Sequence, residues 1–141
     1  MNRAKEFLKQ YKYAVMEAER CKEQYQQTTE KVDSIRSTLG GDGMPHGSEI
    51  NRGVEDLAIR LTEAANRYLE AEERAQIVKE EVEDMLNSLP VGMPGQVLYE
   101  RYINLTKWDT IAGLFHYSLR AIFKLHEQGL KLVEVRLNDK G

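Results

Sequence analysis

At 141 residues the chain has room for one domain, or for one compact domain with an extended appendage. Its 41% hydrophobic and 30% charged content is lean in apolar residues for a globule and suits long helices that bury only a narrow stripe. No apolar run approaches the ~18 residues of a membrane span, the start MNRAKEFLKQ lacks a signal-peptide core, and the single cysteine, Cys21, excludes an internal disulfide framework; a soluble, cytoplasmic protein with no membrane partner is expected.

The net charge of −3 is unevenly spread. From Gln96 onward seven Lys/Arg face five Asp/Glu, a net of +2, which leaves −5 for the preceding residues. An acidic body argues against indiscriminate nucleic-acid binding, and the mildly basic tail leaves local binding open.

The first predicted element is a helix over about 3–39. Stepping alternately four and three residues from Phe7 meets Tyr11, Ala14, Ala18, Cys21, Tyr25, Thr28, Val32, Ile35 and Leu39, with Thr28 alone not apolar. A second helix over about 49–89 repeats the pattern from Ile50 through Val54, Leu57, Leu61, Ala64, Tyr68, Ala71, Ala75, Val78, Val82, Met85 and Leu89. A 4-3 alternation averages 3.5 residues per turn and keeps one seam turned toward a partner helix. Between the two lies GGDGMPHGS, residues 40–48, whose glycines and Pro45 cannot continue a helix. Gly40 suits a C-terminal cap and Ser48 an N-terminal one. Asn87-Ser88-Leu89-Pro90 ends the second helix.

Residues 1–90 are therefore expected to form a long antiparallel helical hairpin of the coiled-coil kind, roughly 55–60 Å long at 1.5 Å per residue. The alanines of the seam bury little area, so such a hairpin is marginal alone. Leu8, Tyr13, Ile59 and Ile77, just off the seam, widen the stripe and are expected to pack against the C-terminal module or a second subunit. The plain expectation for these helices is a spacer or dimerisation arm.

After VGMPG the segments shorten, and residues 94–138 read as a separate small module. Gln96 to Ile103 is a helix with Val97, Leu98, Tyr102 and Ile103 on its apolar face, ended by Asn104 in a left-handed conformation. Thr106-Lys107-Trp108-Asp109 has the form of a capping box that opens a two-turn helix, Trp108 to Leu114. Phe115-His116-Tyr117 makes a turn. Ser118 then caps a final helix to about Leu137 with Ile122, Leu125, Leu130 and Val133 inward. The fold class is all-α: a helical hairpin followed by a short helix, a turn and a longer helix, the order of a helix-turn-helix.

The stretch ERYINLTKWDTIAGLFHYSLRAIFKLHEQGLKLV resembles the last DNA-binding domain of bacterial sigma factors, with Ile111-Ala112 in the first helix, Tyr117-Ser118 after the turn, and the recognition helix beyond. The whole chain resembles a family of small phage proteins from Gram-positive hosts that end in such a sigma-like domain, as phage late-gene transcription regulators do. The resemblance implies a regulator acting on double-stranded DNA in the bacterial host cell, with RNA polymerase as a further partner and a homo-oligomer, a dimer foremost. Carried over by position, Ser118, Leu119, Arg120, Phe123 and Lys124 face DNA, with Glu127 at the edge, while Lys107 and Lys131 meet phosphate. Arg120 has the fork to grip guanine, and Lys124 the charge for phosphate or a guanine edge. The sequence departs from the sigma pattern at His116, where glycine is usual, at Leu119 and Phe123, where arginine is common, and at Gly129, where alanine is usual. Leu119 and Phe123 open an alternative, an adaptor whose module docks on protein; a further one is a small DNA-packaging subunit, which also combines a helix-turn-helix with helical oligomerisation.

Other chemistry-bearing residues have plain readings. Trp108 is expected to pack at the first turn of its helix. His46, His116 and His126 lack the paired spacing of a zinc site, Cys21 falls on the seam, and the carboxylates stand at helix charge-pair spacing. No glycine-rich phosphate loop follows a strand. Neither an enzymatic activity nor a cofactor or metal is expected.

Overall fold

The computed structural model describes residues 3–39 and 48–140, and all of its regular structure is helical. Five helices follow one another: α1 (Arg3–Leu39), α2 (Ser48–Asn87), α3 (Met93–Tyr102), α4 (Trp108–Phe115) and α5 (Leu119–Lys140). Gly40, expected as a cap, lies outside the described residues with Pro45 and His46, as do the side chains of Leu39, Ser48 and Ile50. No helix among the described residues is long and apolar enough to cross a membrane.

The chain divides into two units, one of Met1–Ala14 with Ala75–Gly141 and the other Val15–Arg74. In the second unit Ala18, Cys21 and Ala71 form a small buried cluster, with Tyr68 packed against it. The Tyr25 and Tyr68 rings lie 6.1 Å apart. All of these are seam residues of the 4-3 pattern, so the side chains that the period selects are the ones withdrawn from water. Val54 is a departure, at 38% exposed. The free thiol of Cys21 is buried and donates weakly to the Glu17 carboxylate at 3.7 Å.

The first unit holds the larger core. Ala4 and Leu8 from α1 meet Val82, Met85 and Leu86 from α2, Leu89 beyond it, Leu98 and Tyr102 from α3, and Leu130 and Val133 from α5. Fully burying one such aliphatic side chain is worth about 1.5–3 kcal/mol, which makes this five-segment cluster the principal apolar stabiliser of the unit. Polar contacts tie the chain ends into it. The Glu134 carboxylate accepts the backbone N–H of Ala4 at 3.0 Å, which satisfies one of the orphan donors at the start of α1. Arg3 donates to Asn138 at 2.9 Å, and Arg136 to the Ser88 carbonyl at 2.7 Å where α2 ends.

Of the four off-seam residues expected to widen the stripe, Leu8 is wholly buried, whereas Tyr13, Ile59 and Ile77 remain more than half exposed. Leu8 differs because α2, α3 and α5 all converge on its turn of α1.

The α3–α4 corner departs from expectation in two places. Leu105, not Asn104, takes the left-handed conformation (φ 56°). The Asn104 amide instead donates to the Glu100 carboxylate at 2.8 Å. The Thr106 hydroxyl also donates to Glu100, at 3.1 Å, so it is unavailable to cap α4. Lys107 occupies the cap position with no side-chain cap bond, and the capping box is absent. A carboxylate one turn back satisfies both polar side chains at once, which the local TKWD pattern cannot offer.

Candidate nucleic-acid interface

Between α4 and α5 the backbone turns over three residues, and the sequence explains how. His116 takes a left-handed conformation (φ 59°, ψ 39°). Its amide reaches the Gly113 carbonyl at 3.4 Å, and the Tyr117 amide reaches the Ala112 carbonyl at 3.0 Å. These paired bonds satisfy carbonyls that the end of α4 would otherwise leave open, in the manner of a Schellman motif. Histidine tolerates that conformation better than a β-branched residue. Ser118 then starts α5: its hydroxyl accepts the Ala121 amide at 3.1 Å, and its carbonyl accepts the Ile122 amide at 3.0 Å.

The angle between α4 and α5 is fixed by a compact cluster of Val97, Ile111, Ala112 and Ile122, with Trp108, Phe115 and Leu125 packed around it. Ile111 and Ile122 are wholly buried, and Ala112 nearly so. Further along α5, His126, Leu130 and Val133 continue the inward stripe.

The opposite face of α5 is open. Ser118, Leu119, Arg120, Phe123, Lys124 and Lys131 are all exposed, as is Glu127. Arg120, Phe123, Lys124, Glu127, Gln128 and Lys131 line one shallow depression. The structure therefore brings five of the seven sequence-derived contact residues, Leu119 to Lys131, onto one solvent-facing surface, with Ser118 at its N-terminal end. Lys107 is exposed at the start of α4. Leu119 and Phe123 are 40% and 44% exposed, substantial for apolar side chains on a face that also carries three cations.

Trp108 is the pillar beneath this surface. Its ring meets Phe123 edge-on at 5.2 Å and His126 at 4.8 Å, and the Arg101 guanidinium lies over it at 4.4 Å from the centroid. The packing expected of this tryptophan is what it does. One ring links α3, α4 and α5, and a cation over an indole face adds about 0.5–2 kcal/mol. Arg101 is held there by a further hydrogen bond to the Thr106 carbonyl at 3.1 Å.

Sequence reasoning missed the polar centre of the module. Tyr102 of α3 and His126 of α5 share a buried 2.7 Å hydrogen bond, their rings stacked 5.7 Å apart. Burial pushes the His126 imidazole down to about 4, against the pull of Glu127 and with help from the positive charges of Lys5 and Arg101. Burial likewise raises the Tyr102 phenol to about 12. Both side chains are therefore neutral near pH 7. The available signal was that His126 stands four residues from both Ile122 and Leu130, on the inward stripe.

Among the described residues, no group of three His, Cys, Asp or Glu side chains is placed to hold a metal ion. No protein-family model matches the chain, and neither the curated proteins nor the solved structures contain a significant match to it.

Proposed function

We propose that this chain is a DNA-binding transcription regulator of the phage type, in which α4, the turn and α5 act as a sigma-like helix-turn-helix. The paired helices α1 and α2 form a coiled-coil hairpin that serves oligomerisation or polymerase contact. The observation that carries the reading is the two-sided character of α5. Ile122, His126, Leu130 and Val133 are buried on one side, while Arg120, Lys124 and Lys131 stand exposed on the other. A major groove admits one α-helix, and an arginine on its exposed face can pair bidentately with guanine. Lys107 and Lys131 supply phosphate contacts that set register.

The test is fluorescence anisotropy of labelled duplex DNA titrated with the full chain across a salt series. Affinity that falls steeply with salt is expected, since each phosphate contact releases condensed counterions. Arg120→Ala and Lys124→Ala should each weaken binding while leaving the unfolding midpoint unchanged. A full chain with no salt-sensitive affinity for duplex DNA overturns the proposal.

The exposure of Leu119 and Phe123 favours a second reading, an adaptor whose α5 face docks on protein. Leu119→Ser with Phe123→Ser separates the two: the adaptor reading expects lost partner capture with unchanged DNA affinity.

A further inference from the structure

A second cationic surface lies in the first unit, beside the exposed face of α5 and distinct from it. Lys5, Lys9 and Lys12 of α1 line a half-enclosed groove with Arg101 and Tyr102 of α3, Leu105 of the corner and Trp108 of α4. The three lysines stand at i, i+4 and i+7, so they form one stripe along the helix. Among the described residues none of the four cations is ion-paired; the Glu17–Arg20 pair is elsewhere on α1. Lys5 and Arg101 both bear on buried His126, as Glu127 does with the opposite sign. Four like charges line the groove and no carboxylate does, in a chain whose net charge is −3. Such a local concentration is relieved by a polyanion.

We infer that this groove is a second phosphate-binding surface, formed by Lys5, Lys9, Lys12 and Arg101, that holds the sugar-phosphate backbone of the same duplex whose major groove α5 enters; the inference rests on the DNA-binding reading of α5. Three features select this ligand. The stripe from Lys5 to Lys12 covers about 10 Å of helix axis at 1.5 Å per residue. That reach is enough to meet more than one phosphate of a strand, whose charges recur at about 3.4 Å of duplex rise. Trp108 is committed to packing by Arg101, Phe123 and His126, so the groove's chemistry is cationic rather than base-stacking. The groove also adjoins the α5 face through that same ring, because Trp108 touches Arg101 on the groove side and Phe123 on the other. Backbone contact beside a reading helix fixes orientation without reading sequence.

The experiment compares the intact chain, a Lys5→Gln/Lys9→Gln/Lys12→Gln variant and an Arg120→Ala/Lys124→Ala variant on a random-sequence 20-base-pair duplex (about two helical turns). Each is titrated from about 50 to 200 mM salt, with unfolding midpoints measured in parallel. The lysine variant should bind at least about tenfold more weakly at the low-salt end, with a log–log salt slope shallower by about 2–3, since each lost phosphate contact removes about 0.9. An unchanged slope and affinity in the lysine variant overturns the groove while leaving α5 as the DNA contact. A weakened lysine variant beside an unaffected Arg120→Ala/Lys124→Ala variant overturns the α5 reading and keeps the groove as a phosphate site. Equal loss on single-stranded oligonucleotide of the same length, with none on duplex, overturns the duplex assignment. Should the triple variant fail to fold, Lys9→Gln/Lys12→Gln carries the same comparison, with a slope change of about 2.

Discussion

The hydroxyl of Tyr102 and the Nε2 atom of His126 lie 2.7 Å apart, joining α3 to α5 across 24 residues of sequence inside an otherwise apolar core. Each group satisfies the other, and no buried side-chain nitrogen or oxygen among the described residues lacks a partner. The pair makes α3 part of the platform that holds α5.

This pair makes stability depend on pH. In the unfolded chain His126 binds a proton with a pKa near 6.5, whereas in the folded chain that pKa is about 4. Between these values the unfolded state holds more protons, so stability falls as the solution is acidified from pH 6.5 toward 4, by up to about 3 kcal/mol. Urea unfolding at half-unit pH steps checks this. His126→Gln should flatten the dependence in that window, leaving the slope due to carboxylates, and should itself lower stability at pH 7.

Gly129 is required by close approach. A Cβ built there would lie 2.8 Å from Leu98 side-chain atoms and 3.1 Å from the Pro94 carbonyl oxygen, and Leu98 is wholly buried. Gly129→Ala should therefore destabilise by about 1–2 kcal/mol, the overpacking cost outweighing the gain of about 1 kcal/mol in helix propensity. Gly113, with nothing within 4 Å of its built Cβ, is the control. Gly113→Ala should be neutral or stabilising by up to about 1 kcal/mol.

His116 holds a left-handed backbone at the α4–α5 turn. His116→Gly should stabilise by up to about 1 kcal/mol by removing the Cβ penalty, while His116→Val should destabilise by more than that. Thermal unfolding of the two variants side by side gives the ordering; equal midpoints would show the turn is not strained.

Glu134 caps α1 from the far end of the chain. Glu134→Ala should cost about 0.5–2 kcal/mol and raise amide exchange in the first turn of α1 more than elsewhere. Glu134→Gln, which keeps an acceptor, should recover part of the loss.

The helical elements were legible in the sequence because their causes are local. The 4-3 spacing marks the side chains withdrawn from water at Ala18, Cys21, Ala64, Ala71, Val82 and Met85. Pro90 and its neighbours mark the end of α2, and Ser118 the start of α5. Within the candidate interface, the exposure of Arg120, Phe123 and Lys124 follows from the burial of Ile122 and His126, since the helical period turns intervening positions outward. The capping box at Thr106 misled because the local motif takes no account of Glu100, a competing acceptor six residues earlier.

What only the tertiary structure decided are the relationships between residues far apart in the chain. Tyr102 with His126, Gly129 against Leu98, Glu134 on Ala4, and the lysines of α1 beside Arg101 all join separate helices. A periodic pattern shows which face of a helix is apolar, but carries no record of which partner meets it or at what height. Those choices are set by the joint packing of all five helices.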